Sequence, residues 1–105
     1  MAQGDLTKEI EYDKIEVVNT WNIQVRRATK IMEEQSDGSK IELTRSFHRH
    51  VIRPFQSLKD SDGKWTHTVT DISGEDASVQ AIANAAWTDD VKTAFKTFME
   101  SQTTP

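Results

Sequence analysis

The sequence predicts an α+β fold: a small, strongly bent antiparallel β-sheet or barrel followed by C-terminal helices. Three observations carry this. Two long stretches alternate apolar and polar residues with a period of two. The string Ser-Asp-Gly occurs twice, at Ser36-Asp37-Gly38 and Ser61-Asp62-Gly63, each time between alternating runs. After Ile72 the period changes from two to that of a helix.

The first dozen residues fit two patterns. Glu9-Ile10-Glu11-Tyr12 alternates like a strand, whereas Leu6, Ile10 and Val17 would also share a helix face. The reading adopted is an extended arm leading into a strand over about 14–19. Trp21, Ile23 and Val25 then alternate with Asn22, Gln24 and Arg26, in a strand continuing to about Glu33. The run from Ile41 to Val51 has apolar residues or arginine at odd positions and polar residues at even ones.

Register decides the turn between these two runs. A two-residue Asp37-Gly38 turn would set Ile31 beside Thr44 and mismatch the apolar faces. A three-residue loop, Ser36-Asp37-Gly38, sets Ile31 by Leu43, Arg27 by Phe47 and Ile23 by Val51. It also places Gly38 where a turn with a bulge needs a left-handed residue. The same loop at Ser61-Asp62-Gly63 pairs Phe55 with Val69, Ser57 with His67 and Lys59 with Trp65. Pro54 cannot donate a ladder hydrogen bond and marks a bend or edge between the hairpins. Long bent strands in a short chain suggest a sheet curling toward a small barrel, similar to Sm or SH3 folds. Further on, Ser73-Gly74-Glu75-Asp76 resembles a helix start, and Val79, Ile82, Ala83 and Ala86 follow helical spacing. Thr88 can cap a second helix, with Asp89 and Asp90 in its first turn and Val91, Ala94, Phe95, Phe98 and Met99 on one face. Residues 101–105 read as a polar tail. The expectation is one domain over 1–105, with strands over about 14–72 and helices over about 75–100.

Composition bounds function. The chain has 105 residues, 35% hydrophobic and 29% charged, which suffices for one modest core. There is no cysteine, so disulfides, thiol catalysis and thiolate metal sites are excluded. No apolar run approaches the roughly 18 residues of a membrane span. The polar N-terminus shows no secretory signal, and no membrane association is expected. The net charge is −4, unevenly distributed. Residues 1–23 and 54–105 are acidic, and residues 24–53 are basic, with seven lysines and arginines against four acids. That middle is either a surface for phosphates or the internal partner of the acidic ends.

The candidate binding residues are Arg26, Arg27, Arg45, His48, Arg49 and His50. Arg27, Arg45 and Arg49 fall on the otherwise apolar face of the first hairpin. Such cations need carboxylate partners, for which Asp89, Asp90 and Glu100 are candidates, or a bulge that turns them outward. With Phe47 or Trp21 for stacking, the cluster could hold nucleic acid. His48 and His50 point the same way on a strand, close enough to share an ion, but a third ligand is not apparent, so no metal site is assigned. No cofactor is expected. The aromatics Trp21, Trp65, Trp87, Phe95 and Phe98 read as core. There is no phosphate-cradling glycine loop and no nucleophile elbow, and no serine or threonine has a partner nameable from sequence, so the chain is not expected to be an enzyme.

The strings Lys14-Ile15-Glu16-Val17-Val18, Gln24-Val25-Arg26-Arg27-Ala28-Thr29, Arg45-Ser46-Phe47-His48-Arg49-His50-Val51-Ile52, Ser73-Gly74-Glu75-Asp76-Ala77 and Ala83-Asn84-Ala85-Ala86-Trp87-Thr88-Asp89-Asp90-Val91-Lys92 together resemble small uncharacterised proteins of marine tailed bacteriophages, including those of cyanobacteria. The resemblance spans roughly residues 9–100, and the stretch 55–63 is longer than that family's pattern. It implies phage origin and a virion or tail-associated role, in the virion or the host cytoplasm. It offers no catalytic residues. The expected function is therefore a non-enzymatic structural or assembly component acting by self-association or with other phage proteins. The alternative is a small nucleic-acid-binding module using the basic segment 24–53.

Overall fold

A computed structural model describes residues 4–102. The fold is α+β, with element order β1 (Leu6–Val18), β2 (Asn22–Glu34), β3 (Lys40–Ile52), β4 (Phe55–Lys59), β5 (Trp65–Val69), α1 (Ala77–Ala86) and α2 (Asp89–Ser101). The antiparallel strands form two sheets, one in the order β1-β2-β3 and one of β4 and β5. No barrel closes among the described residues, so the expected closure of the Sm or SH3 kind is not realised. The described residues divide into two compact units, one of residues 4–15 with Val25–His50, the other of Glu16–Gln24 with residues 51–102.

The N-terminal arm proves to be strand from Leu6. The strand reading of Glu9–Tyr12 therefore holds and the helical one fails. Both Ser-Asp-Gly loops are three residues long, as expected. Gln35 and Asp60 receive the loop closures Gly38 N–H to Gln35 O (3.0 Å) and Gly63 N–H to Asp60 O (3.0 Å). Gly38 and Gly63 sit at φ +87° and +83°, where a Cβ would be strained. Beyond the second loop the pairing is Phe55–Val69, Ser57–His67 and Lys59–Trp65, the register read from sequence.

The first hairpin departs from its expected register. Arg26, not Arg27, carries its guanidinium over the Phe47 ring, 4.5 Å from the centroid. Glu42 and Arg45 share a two-point ion pair although they are three residues apart. On a regular strand such residues point to opposite faces. The alternation is therefore broken by one residue between Glu42 and Arg45, as in a β-bulge. Ile23 is fully buried while Val51 is 53% exposed.

In the second unit the core gathers Ile23, Pro54, Phe55, Val79, Ala83, Trp87 and Phe95. Asp76, the last residue of the expected start, caps α1 through the Ser78 N–H, and Thr88 caps α2 through the Val91 N–H. Phe95 is the buried side chain of α2, edge-on to Trp21 at 5.7 Å and stacked on Phe55 at 6.2 Å. Trp87 closes the end of α1, its indole Nε1–H donating to the Trp21 carbonyl at 2.8 Å. Of the aromatics expected in the core, Trp87 and Phe95 are buried, Trp21 and Trp65 are half-buried, and Phe98 is exposed.

Truncating Phe95 to alanine removes a large ring from a filled site. The expected cost is about 3–5 kcal/mol, read as a lowered urea midpoint with loss of near-UV signal from Trp21. A cost below about 1 kcal/mol would show that this ring does not organise the second unit.

Candidate functional site

Within the first unit the basic segment meets the acids of β1. Arg26 forks onto Asp13 through Nε (3.0 Å) and one terminal nitrogen (2.9 Å). Arg45 reaches the same carboxylate at 3.6 Å and binds Glu42 at 2.8 Å. Lys30 pairs with Glu11 at 3.1 Å and Lys40 with Glu9 at 3.6 Å. Hydrogen bonds from Arg26 hold the Asp13 carboxyl below the ordinary aspartate range. The charges of Arg26 and Arg45 add to that effect, and desolvation opposes it. Arg45 likewise lowers Glu42.

These pairs orient the three strands. Glu9, Glu11 and Asp13 are odd residues of β1, Arg26 and Lys30 even residues of β2, and Lys40 and Glu42 even residues of β3. By the two-residue period they share one face. The other face then carries Leu6 and Ile10, Ile31, and Ile41 and Leu43. Four of these are widely exposed, at 62%, 54%, 46% and 50% for Leu6, Ile10, Ile41 and Leu43. The sheet thus pairs the charges of one face among themselves and leaves Leu6, Ile10, Ile41 and Leu43 of its two outer strands exposed on the other, where Val25 of β2 is buried.

The expected binding residues divide accordingly. Arg26, Arg45 and Arg49 surround Phe47, at 4.5, 6.0 and 5.6 Å from the ring centroid. Arg27 lies on the opposite face of β2 from Arg26, half-buried, its Nε buried without a hydrogen-bond partner. His48 and His50 stand side by side, ring centroids 6.0 Å apart. No group of three or more His, Asp or Glu able to hold an ion gathers among the described residues. Of the three arginines expected to need carboxylate partners, Arg45 finds them in Asp13 and Glu42.

Glu100 serves a different group, in the second unit. His67 on β5 contacts Ser57 Oγ through Nδ1 at 2.7 Å and Glu100 Oε2 through Nε2 at 2.7 Å. An ionised carboxylate only accepts, so in the neutral ring the proton sits on Nε2 and Nδ1 accepts from the serine hydroxyl. The imidazole is 10% exposed. Trp65 stacks parallel to it at 6.0 Å, and Phe55 meets it edge-on at 6.1 Å. The pairing of Ser57 with His67 was legible in the register of the second hairpin. The approach of Glu100, 33 residues further along the chain, was not. No family model matches this chain, and neither a curated protein nor a solved structure is similar to it at a significant level.

The depressed Asp13 value sets a pH dependence. Its contribution to stability is present above the unfolded carboxyl value, about 3.9, and is lost as pH falls through the lower folded value. Urea midpoints measured from pH 7 down to about 2.5 should show Asp13→Asn less stable than wild type at neutral pH, with the gap narrowing below about pH 4. A gap constant with pH would show that the carboxylate charge contributes nothing.

Proposed function

We propose that this protein is a structural or assembly component that works by self-association through the apolar face of its three-stranded sheet. The observation that carries the reading is the exposure of Leu6, Ile10, Ile41 and Leu43 on one face of the sheet, beside the half-buried Ile31. Contiguous exposed apolar side chains on a small chain are the usual mark of an interaction surface. A second copy is the occupant argued for, because one such face meets its own twin through a two-fold axis with every apolar residue opposed by another. Two sheet faces pack at about 10 Å with interdigitating side chains, a spacing that short aliphatic residues fill. The resemblance to marine tailed-phage proteins is in keeping with a virion or tail-associated setting, and other phage proteins are the further partners that setting implies.

Nucleic-acid binding by residues 24–53 is the second reading. What favours it is the exposed Phe47 with Arg49 beside it. What weighs against it is that Arg26 and Arg45 already hold carboxylates. Cations so engaged release fewer counterions on binding phosphate.

Light scattering after size exclusion, in low and high salt, tests the first reading. A discrete oligomer that persists in high salt is expected, and Leu43→Asp should convert it to monomer with unchanged circular dichroism. A wild-type monomer under both conditions would overturn it. Titration with labelled single-stranded DNA tests the second: binding that weakens steeply with salt, with a shallower slope in Arg49→Ala, is its expected signature.

A further inference from the structure

We propose that Ser57 is a nucleophile activated by His67 and Glu100, and that the second unit can transfer the acyl group of small apolar esters to water. The inference is independent of the assembly reading, since it uses other residues in the other unit.

The three side chains form a continuous hydrogen-bonded relay, Ser57 to His67 to Glu100, with both distances at 2.7 Å. Such an arrangement lets the imidazole take the hydroxyl proton while the carboxylate fixes its tautomer and stabilises the cation that forms. The ring is held on both sides, by Trp65 and Phe55, so its orientation is set by packing and not by the relay alone.

Local strand geometry explains why Ser57 and His67 meet, and what else is nearby. Thr70 N–H bonds to Pro54 O, and Asp60 N–H to Lys64 O. Those pairs are the hydrogen-bonded positions of the β4–β5 ladder. Bonding alternates along an antiparallel pair, so Ser57–His67 is a non-bonded pair, the kind with the shorter Cα separation and closer side chains. For the same reason the Ser57 backbone N–H points away from β5. Among the described residues β4 has no other strand beside it, so that N–H faces off the free edge.

A cleft of about 410 Å³ lies along this region. Val51, Ile52, Phe55, Phe95 and Met99 give it apolar walls. Arg53, Gln56, Ser57 and Thr70 supply its polar groups. Ser57 lines the cleft and can therefore be approached by a ligand, while His67 contacts its hydroxyl and Glu100 contacts His67. In this proposal the Ser57 N–H and Arg53, which lines the same cleft, are the donors that stabilise negative charge on an acyl oxygen.

The reaction balances with ester and water alone. Ser57 Oγ attacks the ester carbonyl carbon as its proton passes to His67 Nδ1. The tetrahedral species collapses, the C–O bond to the alcohol breaks, and the leaving oxygen takes the proton from Nδ1. Water then attacks the acyl-serine, giving its proton to His67. The C–Oγ bond breaks, Oγ is reprotonated, and a carboxylic acid leaves.

The test uses the full chain. Hydrolysis of p-nitrophenyl acetate and p-nitrophenyl butyrate is followed by absorbance, and reaction with an alkyl fluorophosphonate by intact mass and peptide mapping. Wild type should hydrolyse both esters, faster for butyrate, and gain one phosphonyl group on Ser57. Ser57→Ala should lose the adduct and at least about 100-fold in rate, and His67→Asn should label at least about 100-fold more slowly. Ser57→Thr keeps a hydroxyl and a β-strand residue, so it separates a lost nucleophile from a lost fold: slow labelling of the introduced hydroxyl is expected. Absence of any adduct on wild type, an adduct elsewhere, or equal labelling of wild type and His67→Asn would each overturn the proposal.

Discussion

Which side chains oppose one another across paired strands is the constraint on which the rest of this structure depends. In the second hairpin a left-handed Gly63 closes a three-residue loop, and every pair from Lys59–Trp65 to Phe55–Val69 follows from that closure. The ladder then makes Ser57–His67 a close, non-bonded pair and turns Phe55 inward onto Phe95. A loop longer or shorter by one residue would move His67 to the opposite face, away from both the aromatic packing and Glu100.

The first hairpin shows the same constraint relaxed. Gly38 closes an identical loop, yet the alternation slips by one residue further along β3. The slip lets Arg45 turn to the side of Asp13 and Glu42, where its charge is matched. A guanidinium held among Ile31, Leu43 and other apolar side chains would need its own buried partner. The consequence is a sheet with inverted habits. Its charged face is tied by ion pairs between β1, β2 and β3, and the apolar side chains of its outer strands, Leu6, Ile10, Ile41 and Leu43, are left exposed. The two halves of the chain thus present different chemistry, an association surface in one and a polarised serine beside a cleft in the other.

These features bear on how a small chain with a modest apolar content divides its resources. The core is concentrated in the second unit, where Ile23, Val79, Ala83, Trp87 and Phe95 pack with Phe55 and Pro54. Among the described residues the first unit buries little beyond Val25, Ala28 and Glu34. Electrostatic pairing across strands supplies part of its cohesion. Pairs of that kind are individually weak in water, so a sheet built on them gains most from a partner that covers its apolar side.

Local signals were enough for much of this architecture. Alternation marked the strands, Ser-Asp-Gly marked both loops and their length, and Thr88 with Asp89 and Asp90 marked the start of α2. Each is a property of a few adjacent residues, so each was legible in the sequence. The same reasoning paired Ser57 with His67, because hairpin register is local. Three matters were decided only by the tertiary structure. The slip between Glu42 and Arg45 depends on Asp13, a residue of another strand. No barrel closes among the described residues; closure requires β-strands distant in sequence to find each other's edges, and no local pattern encodes that. Glu100 completes the relay because the packing of Phe95 on Phe55 lays α2 against the second hairpin, a contact that no spacing in the chain announces.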